Sequence, residues 1–304
     1  MPELPEVQTI VDALRERIMG KTITGLAVRF TCRQRMMKIP SQELYDAIVL
    51  QTVQTVLRRG KYILLPLSNG HVLVFHLGMT GRLLVQQSGA ECLSERVRYD
   101  NLSPEHAHFV LELVDFLGTT PEEGYVDDVE LYFCDPRRFG KILFARDVQN
   151  IEQVDLPGIR DLGSDALSIS VDEFSALVSK SKRPVKALLL DQTKVAGIGN
   201  IYADEACFAA KIHPARQAAS LTSTESAKLW FAVKTVLKEG IYYGGSSVSD
   251  YTSIDGTKGS YQQQHRVYGK LGVPCVVCQD PIQRTKLAGR SSHFCPSCQP
   301  LEIQ

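Results

Sequence analysis

The sequence predicts a multi-domain α+β protein, and three observations carry that reading. Apolar and polar residues partly alternate through residues 22 to 86, as on half-buried strands. The apolar period shifts to 3.6 after a Pro/Gly/Asp-rich stretch at residues 155 to 167, and four cysteines stand in two close pairs near the C-terminus.

Taken in order, the chain opens on MPELPEVQTI. Val7, Ile10, Val11, Leu14 and Ile18 fall at helical spacing, so Pro5 reads as a first-turn proline and Glu6 as an acid suited to the helix dipole. Residues 22 to 86 read as strands, with Ser68-Asn69-Gly70 as a hairpin turn between runs ending at Leu67 and starting at His71. HFVLELVDF, VELYFCD and GKILFARD add further strands, and an antiparallel β-sandwich fits the first half. Beyond the boundary one helix ends across Ser175 to Ser181, VKALLLDQ suggests another, and Asn200 stands as N-cap of a third, stopped by His213-Pro214. Thr222 to Glu225 has the capping-box pattern ahead of Leu229, Ala232, Val233, Val236 and Leu237. The polar Gly/Ser-rich stretch from Gly244-Gly245 to about Gly269 reads as a mobile loop.

With 304 residues, 44% hydrophobic and 22% charged, the chain has an ordinary globular composition and can bury a sizeable core. No charged start followed by an apolar run resembles a signal peptide, and no stretch approaches the roughly 20 apolar residues of a membrane span, which points to the cytoplasm, or to the nucleus if the organism has one, and away from membranes. Formal net charge is zero, yet the charge is segregated. Residues 91 to 130 hold eleven acids against two arginines, and residues 180 to 216 hold seven Lys or Arg against three acids. Basic clusters also occur at Arg58, Arg59, Lys61 and at Arg137, Arg138, Lys141. Such segregation suits one basic face for a polyanion and an acidic back; solvated charge spread over the surface is the plainer alternative.

Cys275, Cys278, Cys295 and Cys298 form C-x2-C-x16-C-x2-C, two knuckles able to offer four thiolates at the corners of a tetrahedron. Two disulfides are the competing reading, disfavoured in a chain without a secretion signal. Closed four-thiolate coordination leaves no position for water, so one Zn2+ would fold the C-terminus and do no chemistry. Cys32, Cys92, Cys134 and Cys207 are dispersed and read as packed or idle. Gly289-Arg290 lies between the knuckles, where a hairpin would project; an arginine there suits either decoration or phosphate binding.

Pro2 and Glu3 are not explained by helix formation. With Met1 removed, Pro2 carries a free secondary amine, and an α-amino group titrates at about pH 8, so a useful fraction is an unprotonated nucleophile at neutral pH. Such an amine attacking a sugar C1′ can expel the base and give an iminium, which acidifies the neighbouring carbon for elimination. Glu3 is then placed to donate and accept protons; a helix-leading acid without chemical role is the alternative.

These motifs converge on a family. PELPEV behind Met1, RRGKY, HLGMTG, DPRRFG, DQTKVAGIGNIYADEACFAAKIHP and GRSSHFCPSCQ, in this order from residue 2 to 299, closely resemble the bacterial formamidopyrimidine-DNA glycosylases. The resemblance implies an N-terminal helix plus antiparallel β-sandwich over 1–155, a helix-two-turn-helix domain over 165–245, a lesion-lid loop over 246–269 and a zinc ribbon over 270–304, with DNA in the cleft between the halves. It also implies a monomeric glycosylase and AP lyase acting on oxidised purines in damaged double-stranded DNA. In that pattern Pro2 matches the Schiff-base nucleophile and Glu3 the acid assisting base loss and ring opening. Glu6 matches a supporting carboxylate, with helix-dipole stabilisation weighed equally. Lys61 matches the lysine contacting phosphate beside the lesion, and Arg290 the hairpin arginine of the second elimination.

Met79, an apolar residue on the Gly78 to Gly81 turn, is poorly placed to be core and suits a wedge filling the gap left by an extruded nucleotide. Arg137 and Phe139 match its partners, the arginine for the widowed cytosine and the phenylalanine for stacking, with plain core as the alternative for Phe139. His106, Lys182 and Asn200 match phosphate contacts, Asn200 at a helix N-terminus. Lys186 matches a position near the lesion. The loop from Ser246 to Tyr268 yields no residue-by-residue lesion contacts, and the acidic insertion LGTTPEEGYVDDVE lengthens a sandwich connection without a derivable role. Two readings compete: a Nei-type enzyme for oxidised pyrimidines, which typically has Gly where this chain has Leu4 and lacks the Arg-x-Phe filler, and a catalytically silent damage-binding protein, which would not need Pro2, Glu3 and Lys61 intact.

Overall fold

The computed structural model describes residues 1–29, 35–87, 106–116, 125–151, 154–248 and 251–301. The chain divides into two compact units. One comprises Met1–Pro2, Glu6–Arg160 and Ser247–Gly259, the other Glu3–Pro5, Asp161–Ser246 and Ser260–Gln304.

In the first unit, one antiparallel sheet runs in the order β1 (Thr22–Val28), β6 (Ala107–Phe116), β7 (Tyr125–Cys134), β5 (Arg82–Gln87). The other runs β2 (Leu57–Arg59), β3 (Tyr62–Pro66), β4 (Val72–His76), β8 (Lys141–Ala145). Phe75 of the second sheet meets Phe109 and Phe133 of the first edge-on, each at 5.7 Å between ring centroids, so the two apolar faces close into the sandwich that the alternation predicts. Helix α1 (Leu4–Ile18) adds Val7, Ile10, Val11, Leu14 and Ile18 to the same core. The Ser68-Asn69-Gly70 turn forms as read: Gly70 has φ +80°, and Leu67 N–H donates to His71 O at 2.8 Å.

Two segments differ from the sequence reading. Residues 41 to 48, expected within a run of strands, form helix α2 (Ser41–Ile48), started after Pro40 and burying Leu44 and Ile48 one helical turn apart. That signal is only two apolar residues long, too short for a periodicity argument. In the acidic insertion, residues 125 to 130 belong to β7 and pair with β6, while residues 117 to 124 lie outside the described residues, as do Cys32 and Cys92. Cys134 and Cys207 are buried, and burial pushes both thiols up, Cys134 to about 11.

The second unit holds β9 (Ser164–Asp165) paired with β10 (Val195–Ala196), then helices α3 (Val171–Lys180), α4 (Val185–Leu190), α5 (Asn200–Ala209) and α6 (Ser223–Tyr242). The Thr222 capping box is complete: Thr222 Oγ1 accepts from Glu225 N–H at 3.2 Å, and Glu225 accepts from Thr222 N–H at 2.8 Å. Strands β11 (Gln283–Leu287) and β12 (Arg290–Phe294) form the ribbon hairpin. Its two-residue turn, Ala288-Gly289, has φ +48° and +77°, as a type I′ connection requires.

Within the stretch from 246 to 269, read as a mobile loop, Tyr251, Ile254 and Tyr261 are packed. In the first unit Tyr251 and Ile254 join the sandwich core, and Val85 N–H donates to Ile254 O at 2.9 Å. In the second, Tyr261 is fully buried and stacks on Tyr202 at 5.2 Å. Three large apolar side chains outweigh the polar composition that suggested a free loop. Among the described residues, no helix is long and apolar enough to cross a membrane.

Candidate active site

Within the second unit, the chain's third and fourth residues are seated on the start of α5. Leu4 N–H donates to Gly197 O at 3.0 Å. Glu3, only 3% exposed, accepts through its carboxylate from Ile201 N–H at 3.0 Å and Tyr202 N–H at 3.4 Å. These first-turn donors have no intrahelical acceptor, so the Glu3 carboxylate caps α5 and lies at the favourable end of its dipole. Two glycines permit the approach. A Cβ on Gly199 would stand 2.2 Å from the Glu3 carboxyl carbon, and one on Gly197, at φ +105°, would stand 2.5 Å from Leu4.

This arrangement corrects the reading of Asn200. Gly199 is the N-cap and Asn200 the first helical residue, because the capping oxygen comes from Glu3. The anion on those N–H groups is therefore the protein's own carboxylate, and any phosphate contact of Asn200 falls to its side chain. That side chain hydrogen-bonds the Tyr268 hydroxyl, a phenol whose pKa is raised, chiefly by burial.

In the first unit, Pro2 and Glu6 are buried, and the Tyr251 hydroxyl reaches Glu6 O at 3.5 Å. Burial and then the Glu6 charge raise the Tyr251 phenol. Lys61, also buried, sits in the two-residue turn between β2 and β3, behind Gly60 at φ +57°. Arg58 fixes this turn: its Nη1 donates to Gly60 O at 3.1 Å and its Nε to Gln8 Oε1 on α1 at 2.7 Å. Arg58, read as part of a loose basic cluster, thus serves as a brace for Lys61.

Met79 is 44% exposed and Phe139 52% exposed, so neither is core; the Arg137 guanidinium lies 4.7 Å above the Phe139 ring. The turn carrying Met79 touches the loop carrying Phe139 through backbone, since a Cβ on Gly78 would fall 2.7 Å from the Phe139 carbonyl carbon. Between them lies Asp135, the fully buried first residue of DPRRFG. His106, at φ +62° just before β6, is exposed, as is Lys182 beyond the end of α3.

Lys186, expected near a lesion, lies in a buried network. It is 1% exposed, paired with Asp204 Oδ1 at 2.7 Å, and donates to Ser291 O at 2.6 Å. Asp204 Oδ2 in turn accepts from His293 N–H at 2.9 Å. This buried network moors β12 to α5 and α4, and Arg290, exposed at the hairpin turn, is one residue from its anchor. A second carboxylate of α5, Glu205, accepts N–H bonds from Arg266, Val267 and Tyr268 at 2.8 to 3.0 Å. Burial raises its pKa against those three bonds. Sequence reasoning missed Asp204 and Glu205, adjacent acids on an otherwise apolar helix, where a buried acid signals a designated partner.

The four ribbon cysteines place their sulfurs within 4.8 Å of one another, with Cys275 to Cys298 at 3.8 Å and Cys278 to Cys295 at 3.4 Å. A tetrahedron with Zn–S arms of about 2.3 Å has edges of about 3.8 Å, whereas a disulfide needs about 2.05 Å. The set fits one structural zinc, and none of the four is joined in a disulfide.

Three family models match the chain: the formamidopyrimidine-DNA glycosylase N-terminal domain over residues 1–142, its H2TH domain over 162–252, and the zinc finger found in FPG and IleRS over 272–301. The chain belongs to the formamidopyrimidine-DNA glycosylase family. A formamidopyrimidine-DNA glycosylase of Desulforamulus reducens is 40% identical over 303 residues, covering 98% of this chain and 99% of the relative. Among solved structures, MutM (FPG) from Thermus thermophilus matches with a TM-score of 0.79 and 37% identity, over 99% of this chain and all of that one. Lactococcus lactis Fpg in complex with abasic-site DNA matches with a TM-score of 0.80 and 30% identity, over 98% and 99% of the two chains. In this glycosylase, as in the family models, strands precede the helical domain and the zinc ribbon comes last.

Proposed function

We propose that this chain is a bifunctional DNA glycosylase and AP lyase of base excision repair, excising 8-oxoguanine and formamidopyrimidines from duplex DNA. The observation that carries the reading is the immobilisation of the chain's first residues, with Glu3 spent as the cap of α5 and two glycines reserved to admit residues 3 and 4. A purely structural cap would more simply be supplied by a Ser, Thr or Asp at position 199 itself.

In this reading Pro2, freed of Met1, attacks C1′ as the base leaves as an anion that solvent protonates; the Glu3 carboxylate takes the Pro2 N–H proton and passes it to the ring oxygen O4′, so that the C1′–O4′ bond breaks and the C1′=N iminium forms. The resulting iminium acidifies the C2′ hydrogen, so β- then δ-elimination nicks the strand. Lys61, braced by Arg58, and Arg290, moored through Ser291, bind the phosphates that leave. Glu6 supports the site from the first turn of α1. Met79 fills the gap left by the extruded nucleotide, Arg137 reads the widowed cytosine, and Phe139 stacks beside it. His106, Lys182 and Asn200 grip backbone, and residues 246 to 269 cover the damaged base. The zinc folds the ribbon and takes no part in the chemistry.

Family membership supports the substrate class, as does Lactococcus lactis Fpg, which has been solved with abasic-site DNA and with N7-benzyl-Fapy-dG DNA. The enzyme works as a monomer in the bacterial cytoplasm. Excision rates on duplexes carrying 8-oxoguanine opposite cytosine and an oxidised pyrimidine in the same context test the assignment. Faster release of the purine is expected; a strong preference for the pyrimidine would replace this reading with the Nei-type one.

A further inference from the structure

Asp135 lies at the end of β7 and is fully buried, yet no step of the proposed chemistry uses it. Its Oδ1 accepts from Thr80 Oγ1 at 2.5 Å and from Arg137 N–H at 3.2 Å; its Oδ2 accepts from Gly140 N–H at 2.7 Å. Its backbone is tied as well, the N–H to His106 O at 3.1 Å and the carbonyl to His108 Nε2 at 2.9 Å. Thr80 follows Met79, and Arg137 and Gly140 bracket Phe139. One carboxylate therefore holds both the turn that carries Met79 and the loop that carries Arg137 and Phe139.

We infer that Asp135 is the positioning residue of the strand-opening platform, locking Met79, Arg137 and Phe139 into a single preset arrangement. The inference rests on the proposed role of those three side chains in nucleotide extrusion. The physical need is plain: three exposed side chains on two loops lose conformational freedom when they enter a base stack, and a preset backbone removes much of that cost in advance. Gly78, whose missing Cβ lets the two backbones touch, points the same way. A carboxylate suits the task because every group aimed at it is a donor. An amide in its place must turn its NH2 either toward Gly140 N–H or toward Arg137 N–H, losing one backbone bond in each orientation.

The test compares Asp135→Asn, Thr80→Val and Thr80→Ser in the zinc-loaded full chain. Single-turnover excision is measured from an 8-oxoguanine duplex, alongside strand cleavage at a preformed abasic site, with 2-aminopurine beside the lesion reporting unstacking. Asp135→Asn and Thr80→Val should each slow excision about tenfold, lose less on the abasic duplex, and blunt the fluorescence rise; Thr80→Ser should restore all three. Adding Met79→Ala to Asp135→Asn should cost less than the product of the single losses. Equal losses on both duplexes, or fully multiplicative losses in that cycle, would overturn the inference. A clear loss with Met79→Ala beside wild-type behaviour of Asp135→Asn would overturn it while leaving the wedge standing. Wild-type unstacking and excision by Met79→Ala would remove the wedge reading itself, and the inference with it. If Asp135→Asn does not fold, the Thr80→Val and Thr80→Ser pair decides.

Discussion

A Cβ at position 199 has nowhere to go except into the Glu3 carboxyl group, 2.2 Å away. Gly199→Ala is therefore expected to displace that carboxylate from Ile201 and Tyr202 and to slow base excision by roughly ten- to a hundredfold, in single-turnover assays, while the zinc content stays at one per chain. Glu3→Gln keeps one acceptor for the α5 N–H groups but cannot move a proton, so it should bind lesion DNA and fail to release the base. If Gly199→Ala excises at the wild-type rate, the seat on α5 does not matter to the chemistry. Positions with one neighbour-defined purpose, such as Gly197 and Gly199, are silent in a single sequence: only the folded chain shows that residues 3 and 4 lie against them.

At the scale of elements, titration separates the two units. His76 on β4 has its pKa lowered to about 4, by burial first and then by the charges of Lys61 and Lys141, and its Nδ1 accepts from Gly78 N–H at 3.3 Å. The unfolded chain binds this proton near pH 6.5 and the folded one does not, so stability present above about pH 6.5 is lost as pH falls toward 4. The loss is on the order of 3 kcal/mol, and pH-dependent melting of His76→Gln should lack it. Glu225 in the α6 capping box behaves at lower pH. The hydrogen bond from Arg216 leads the causes that lower it to about 2, so its contribution holds above about pH 4.5 and drains as pH falls toward 2. The ribbon depends on its metal instead. Cys295→Ala, or chelation, should abolish DNA binding while the β-sandwich still melts near its wild-type temperature; loss of both together would show that the ribbon is not a separate folding element.

For the whole molecule, the order of its parts was legible from hydrophobic period, the 155–167 boundary and the cysteine spacing. The capping box at Thr222, the hairpin at Ser68 to Gly70 and the exposure of Met79 were readable because each is encoded within a few residues. Long-range arrangements were not: the Lys186–Asp204 pair, the carboxylate of Asp135 between two loops, and the docking of Tyr251 all join residues far apart in sequence. Charge segregation is a whole-molecule property with its own test. Lys182→Ala should weaken binding to every duplex alike and lower the slope of log K against log salt by about 0.9. Whether Pro2 is the nucleophile is read from borohydride reduction during reaction with an 8-oxoguanine duplex, followed by mapping of the cross-linked peptide. One covalent complex through the Pro2 nitrogen is expected, lost when Met1 is retained and that nitrogen is an amide. Undiminished trapping by Pro2→Gly that maps to a lysine would contradict it.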